Sequence, residues 1–211
     1  MKIAFFSESP ADEAALAILV SGILGEEVEQ ASLQVHIQAR GSSNIDKILP
    51  TVIRAVNYNS DAEALVVVSD SDDTPVHLDS HDGRRNLDCR MCQLRNTVAE
   101  TLTKLNAVPG KDILKVAVGV PVPAIEAWYL CGINPHVNEA TWIRKQNGEK
   151  IKYDRKKLKF QVYNTDHPSL ELETEHAIEC ATRLVSEFEQ LDQLFPQGFR
   201  SFANEIRSWK Q

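Results

Sequence analysis

The stretch ALVVVSDSDDTP, residues 64–75, joins five consecutive apolar residues to Asp70, Asp72 and Asp73. Three of the five are β-branched valines and none alternates with a polar residue, the pattern of a strand covered on both faces, as in a parallel sheet. Three carboxylates at the end of a buried strand repel one another unless they meet open water or a bound cation. The segments on either side follow the same logic. KIAFFS (2–7), LQVHIQA (33–39) and ILKVAVGVP (113–121) are also short apolar runs, and helical patterns separate them. The first of these helices opens with Ser9 as N-cap, Pro10 at the first helical position and Asp12 in the first turn, where an acid faces the positive end of the helix dipole. Residues 44–59 predict a second helix, with Pro50 as a kink or restart, and residues 87–105 a third. Beyond Pro123 the pattern predicts a short helix ending at Gly132, a long helix over 170–194 and a last one over 199–209.

This alternation predicts an α/β fold: a mostly parallel, Rossmann-like four-stranded sheet flanked by helices, with a helical C-terminal elaboration. Residues 1–132 form the expected core. Residues 133–211 are expected to add a basic insertion and C-terminal helices packed on that core as one domain. The ends of parallel strands share one edge, where such folds place their sites. Glu8 follows the first strand, Asp70, Asp72 and Asp73 the third, and Glu126 opens the helix after the fourth. The second delivers Arg40, Gly41, Ser42 and Ser43, suited to a phosphate near a helix N-terminus. Taken singly, each acid fits a cap, an Asx-turn or a first-turn position. Together they suit a hard cation with oxygen ligands, Mg²⁺ or Mn²⁺, held by Glu8, Asp70, Asp72 and Asp73. Of the four, Asp73 is the best placed to serve only as a turn residue.

Composition narrows the classes of function. The chain has 211 residues and a formal net charge of −7, which argues against a general duplex-coating protein. Between Arg144 and Lys159, however, eight Lys or Arg face only Glu149 and Asp154. That stretch is either a solvated insertion or a landing strip for phosphates. No apolar run approaches the roughly 18 residues of a membrane span, and no signal-peptide pattern opens the chain, so a cytoplasmic protein without membrane association is expected. The four cysteines are too few for a disulfide scaffold. Within HLDSHDGRRNLDCRMC (77–92), His77, His81, Cys89 and Cys92 are either a structural Zn²⁺ site of non-standard spacing or one buried helix face.

A glutamate in FFSESPADEAAL followed by Asp70-x-Asp72 after the third strand resembles the toprim fold of topoisomerases, primases and certain nucleases. The segment IEAWYL (125–130) sharpens the resemblance to a toprim-like family of small bacterial proteins with an acid-Ala-Trp motif after strand four. YDRKK and GFRSFANEI also resemble that family's C-terminal half. The resemblance implies a Mg²⁺-dependent phosphoryl-transfer protein, a nuclease acting on nucleic acid, in which Glu8 is a metal ligand or general acid/base and Asp70 and Asp72 hold the ion. It further implies that Glu126 completes the acidic edge, that Lys156 or Lys157 stabilises developing phosphate charge, and that an ATPase is a partner. Family members usually have Gly after the glutamate, whereas Ser9 and Pro10 stand here. That departure keeps open a catalytically inactive toprim-like binding subunit. A third reading takes DSDDT as the opening of a haloacid dehalogenase-type phosphatase, with Asp70 as nucleophile and Asp72 as general acid. It needs a later acidic pair, for which VYNTDHP (162–168) is the candidate.

Overall fold

The computed structural model of the protein describes residues 1–32, 42–82 and 86–210. Four strands, β1 (Lys2–Phe6), β2 (Glu29–Gln30), β3 (Ala64–Val68) and β4 (Lys115–Gly119), form one sheet in the order β2-β1-β3-β4. Every pairing is parallel, with Phe5 opposite Val66 and Val67 opposite Val118. Successive side chains point to opposite faces. Ile3, Phe5, Val66 and Val68 therefore enter one core, and Ala4, Phe6, Leu65 and Val67 enter another. The two cores explain the unbroken apolar runs. Full burial of each Val, Leu, Ile or Phe contributes about 1.5–3 kcal/mol.

The helix α1 (Pro10–Leu24) covers the first face together with α7 (Leu170–Leu184) and α9 (Ser201–Arg207). Helices α2 (Ser42–Asn59) and α3 (Arg90–Leu102) cover the second. The start of α1 follows the expected capping: Ser9 Oγ accepts the N–H of Ala11 at 3.2 Å, and Pro10 is the first helical residue. Helix α2 runs through Pro50 without restarting, because Ile45, Leu49, Val52, Ile53 and Val56 anchor it in the core on both sides of the missing N–H. The strand expected at 33–39 lies outside the described residues. The strand that pairs with β1 comes earlier, at Glu29–Gln30, two exposed residues at the sheet edge with no apolar signal.

The long helix expected over 170–194 is broken: α7 ends at Leu184, a 3₁₀ turn spans Val185–Glu187, and α8 (Phe188–Leu194) follows. Tertiary demands account for the break. Arg183 donates to the carbonyls of Tyr129 and Cys131 at 2.6 and 2.7 Å and pairs with Glu187 at 2.6 Å, while Phe188 stacks on Phe199. A Cβ on Gly22 of α1 would meet Val185 at 2.9 Å, so only glycine admits this approach.

The basic stretch, residues 144–159, contains the end of α5 (Glu139–Gln146) and the first half of α6 (Arg155–Tyr163); Tyr153 and Leu158 anchor it in the first core, while Arg144, Lys150, Lys152, Lys156 and Lys157 are exposed. The expected C-terminal helix begins with a π turn, Pro196–Arg200, before α9. Glu139, only 2 % exposed, holds this turn by accepting the N–H groups of Gln197 and Gly198 at 2.9 and 2.6 Å.

Burial pushes the Glu139 carboxyl from its ordinary 4.5 up to about 7, against these two bonds and the charge of Arg200. A raised value means that the native state takes up a proton the unfolded chain releases. Stability from this group is therefore fullest below pH 4.5 and is lost as the pH rises through about 7. Glu139→Gln presents an amide NH₂ where two N–H donors need acceptors. It is expected to cost about 1–3 kcal/mol and to flatten the pH dependence over that window, both measurable by urea denaturation at a series of pH values.

Candidate functional site

The acids converge where the parallel sheet predicts. Glu8 lies two residues beyond β1, and its Oε1 accepts the Ser69 hydroxyl at 3.1 Å and the Asp70 N–H at 3.0 Å. The ends of β1 and β3 are thereby locked together, with Oε2 outside these two bonds. Asp70 lies two residues beyond β3; its Oδ1 accepts the Ile125 N–H at 3.0 Å, one residue before α4 (Glu126–Tyr129). The loop after β3 is also stitched to the loop after β4, because Ser71 and Asp72 donate their N–H groups to the carbonyls of Pro121 and Pro123 at 2.9 and 3.0 Å. Asp72 adopts φ = 52°, a left-handed conformation that aspartate tolerates better than most residues. This turn carries its carboxylate back toward the acidic edge.

Arg155, the first residue of α6, spans the two aspartates. One guanidinium nitrogen lies 3.1 Å from Asp70 Oδ2, and the other contacts Asp72 Oδ1. Arg90 approaches Asp72 at 4.0 Å and also pairs with Asp46. Farther in, Glu126 is 4 % exposed and Asp12 is partly buried on the first turn of α1. Lys159 of α6 bonds Glu173 of α7 at 3.2 Å beside them. The Tyr129 hydroxyl, buried next to Asp12 and Glu126, has no hydrogen-bond partner among the described residues.

The electrostatics of this group follow from burial and crowding. Burial pushes the Asp70 carboxyl well above the usual carboxylate range, and the negative charges of Glu8, Glu126 and Asp12 push the same way, against Arg155. Asp12 is likewise raised well above its ordinary value by burial and by Glu126, Glu8 and Glu173, with Lys159 opposing. Glu8 is raised by burial despite its two hydrogen-bond donors, and Glu126 is raised by burial despite Lys159 and Arg155. Arg155 and Lys159, with Arg90 near Asp72, thus leave this set of acids under-neutralised. Hard oxygen donors in such surplus suit a divalent cation such as Mg²⁺ or Mn²⁺ by their chemistry, with Glu8, Asp70 and Asp72 as the candidate donors. Among the described residues, however, their oxygens are not gathered into a ligating cluster, and Arg155 stands against both aspartates.

The structure brings together Glu8, Asp70, Asp72 and Glu126. Asp73 stands apart: its side chain is 91 % exposed, 4.0 Å from Lys145, and it lines a neighbouring groove with Pro75, Leu78 and Ile143. Lys156 is exposed on the first turn of α6, and Lys157 turns its ammonium to the Lys152 carbonyl at 3.1 Å. The cation that reaches the aspartates is Arg155, one residue earlier, because only that position of the helix N-terminus faces the sheet edge. Arg40 and Gly41 lie outside the described residues. Asp12, Arg155, Lys159 and Glu173 are the residues that sequence reasoning missed as parts of the site. Asp12 had a signal, since it stands in the first turn of the helix that follows Glu8. The other three come from helices whose placement no local pattern records.

The segment offered as the later acidic pair of a phosphatase, VYNTDHP, is the end of α6 and the turn after it; Asp166 there lies 3.8 Å from His167. It supplies neither a strand nor an acidic pair to the acidic edge. Comparison with protein-family models, curated proteins and solved structures gives no match.

Proposed function

We propose that the chain is a Mg²⁺-dependent phosphoryl-transfer protein, a nuclease that hydrolyses phosphodiester bonds of nucleic acid. The observation that carries this reading is the convergence of Glu8, Asp70 and Asp72 at the ends of adjacent parallel strands, with the guanidinium of Arg155 against both aspartates. A divalent cation there, when bound, neutralises phosphate charge and polarises an attacking water. The residues of the chain supply the rest. Arg155 offers a planar donor pair matched to two phosphate oxygens, and Lys159 adds positive charge behind it. Glu8, whose carboxyl burial raises, can hold or release a proton at the Oε2 that Ser69 and Asp70 leave open. The exposed cations Lys150, Lys152 and Lys156, neighbours of Arg155 in sequence, would track a nucleic-acid backbone. An ATPase partner belongs to this proposal through the toprim resemblance.

A second reading rests on Arg155 itself. A guanidinium already bridging Asp70 and Asp72 does part of a metal's work, as expected of a subunit that binds nucleic acid without turnover. Purified protein incubated with labelled DNA and RNA in Mg²⁺ or Mn²⁺ separates the two. Cleavage that disappears in chelator and in the Asp70→Ala, Asp72→Ala double variant supports the nuclease. Retained binding with no cleavage in either metal supports the binding subunit and ends the catalytic proposal.

A further inference from the structure

On the far side of the Asp72 turn, a second cluster is built from different chemistry. Among the described residues, one ligating atom each from His77, His81, Cys89 and Cys92 lies within 4.8 Å of all the others. The sulfurs of Cys89 and Cys92 stand 3.6 and 3.5 Å from the same nitrogen, Nδ1 of His77. With Zn–S near 2.3 Å and Zn–N near 2.0–2.1 Å, the edge of a regular tetrahedron between sulfur and nitrogen is about 3.6 Å. Two edges of a coordination tetrahedron are therefore already present.

The ring of His77 is also oriented as a ligand. Its Nε2 is 3.1 Å from Asp82 Oδ1. A carboxylate only accepts, so the proton sits on Nε2 and the lone pair of Nδ1 points at the two sulfurs. This carboxylate–histidine arrangement is the outer-shell support that fixes the tautomer of metal-binding histidines. His81 packs edge-on against His77, with ring centroids 5.4 Å apart; its Nδ1 accepts the Leu78 N–H at 3.4 Å and its Nε2 lies 3.3 Å from Asn86 Nδ2, long contacts of which one is given up when the ring ligates. Cys89 caps α3 and Cys92 lies one turn in, so the short Cys-x-x-Cys separation is set by the helix start. Cys89, Cys92 and His77 are buried, and both cysteines are free thiols.

We propose that His77, His81, Cys89 and Cys92 bind one structural zinc ion, which clamps the segment after β3 onto the N-terminus of α3. Two thiolates and two imidazoles are soft and borderline donors, which select zinc over the hard cations suited to the acidic edge. Cys89 immediately precedes Arg90, which reaches Asp72 and Asp46. If the acidic edge is the active site, the clamp also holds Arg90 in place there. The zinc itself does not depend on that reading.

The test is metal analysis of the full chain after reconstitution with zinc and dialysis against metal-free buffer. About one tightly held equivalent is expected. Cobalt in place of zinc is expected to give a thiolate charge-transfer band in the near ultraviolet and intense tetrahedral bands in the visible. Cys92→Ser is expected to lose both signals. Asp82→Asn changes a side chain that is 67 % exposed. That variant therefore keeps the fold and is expected to weaken zinc roughly 10–100-fold in competition with a chromogenic chelator. Less than about a tenth of an equivalent in the wild type, a cobalt spectrum without thiolate bands, or a Cys89–Cys92 disulfide in its place would overturn the proposal. Zinc lost in Asp70→Asn but retained in Cys92→Ser would also overturn it, by assigning the metal to the acidic edge.

Discussion

Asp70→Asn is expected to lower the proposed metal-dependent cleavage by about 10²-fold or more while making the metal-free protein more stable. The two effects have one origin. Asp70 is held by the Ile125 N–H and Arg155 in a place where burial and three neighbouring acids oppose its ionisation. A carboxyl raised in this way makes the native state bind a proton that the unfolded chain gives up. Stability is then fullest below the ordinary carboxylate range and falls as the pH rises through the folded value. Asparagine keeps the oxygen that accepts from Ile125 and removes the repelling charge. Each kcal/mol relieved raises Tm by roughly 2–4 °C in a chain of this size. The same substitution removes an anionic oxygen from the proposed cation site, so Mg²⁺ should raise the Tm of the wild type and leave that of the variant unchanged. Calorimetry in chelator and in Mg²⁺, beside single-turnover cleavage, checks both halves. An Asp70→Asn protein that cleaves at the wild-type rate, or that melts earlier in chelator, contradicts this account of the site.

Gly198→Ala is expected to destabilise the protein by about 3 kcal/mol or more. A Cβ at this position would stand 2.4 Å from the Val120 carbonyl oxygen and 3.0 Å from Glu139 Oε1. Neither obstacle can swing aside freely. Val120 is backbone just beyond β4, and Glu139 is pinned by two N–H groups. The strain would pass into the 121–123 loop, whose carbonyls receive the Ser71 and Asp72 N–H groups, and would also disturb Phe199 against Trp128. A fall in Tm of roughly 6–12 °C follows, with cleavage reduced at temperatures where the protein is still folded. A change below about 2 °C would show that the π turn shifts freely and does not support the site.

How far the sequence disclosed all this depends on the range of the interaction involved. The strands with continuous apolar runs, the Ser9-Pro10 helix start and the strand-end acids Glu8, Asp70 and Glu126 are written locally. Their periods and positions survive folding unchanged. Strand β2 is two exposed residues whose only reason to be extended is the neighbouring β1 backbone, and no side-chain pattern announces that. The break after Leu184 is decided by Gly22, Tyr129 and Phe199, all remote in sequence. Arg155 is the clearest case. Within a run of cations nothing separates it from Lys156, and only the seating of α6 chooses between them.

The way α9 closes the first core also bears on how the protein is made. This helix packs against both α1 and β4, and Phe199 and Phe202 lie on Trp128. Segments separated by most of the chain thus share one interior. A growing chain that has left the ribosome as far as residue 132 can set out its strands, but the cover over Leu16, Leu19 and Trp128 is complete only when residues 170–209 emerge. During that interval the nascent protein presents a wide greasy face, and it needs either speed or a chaperone to cross it.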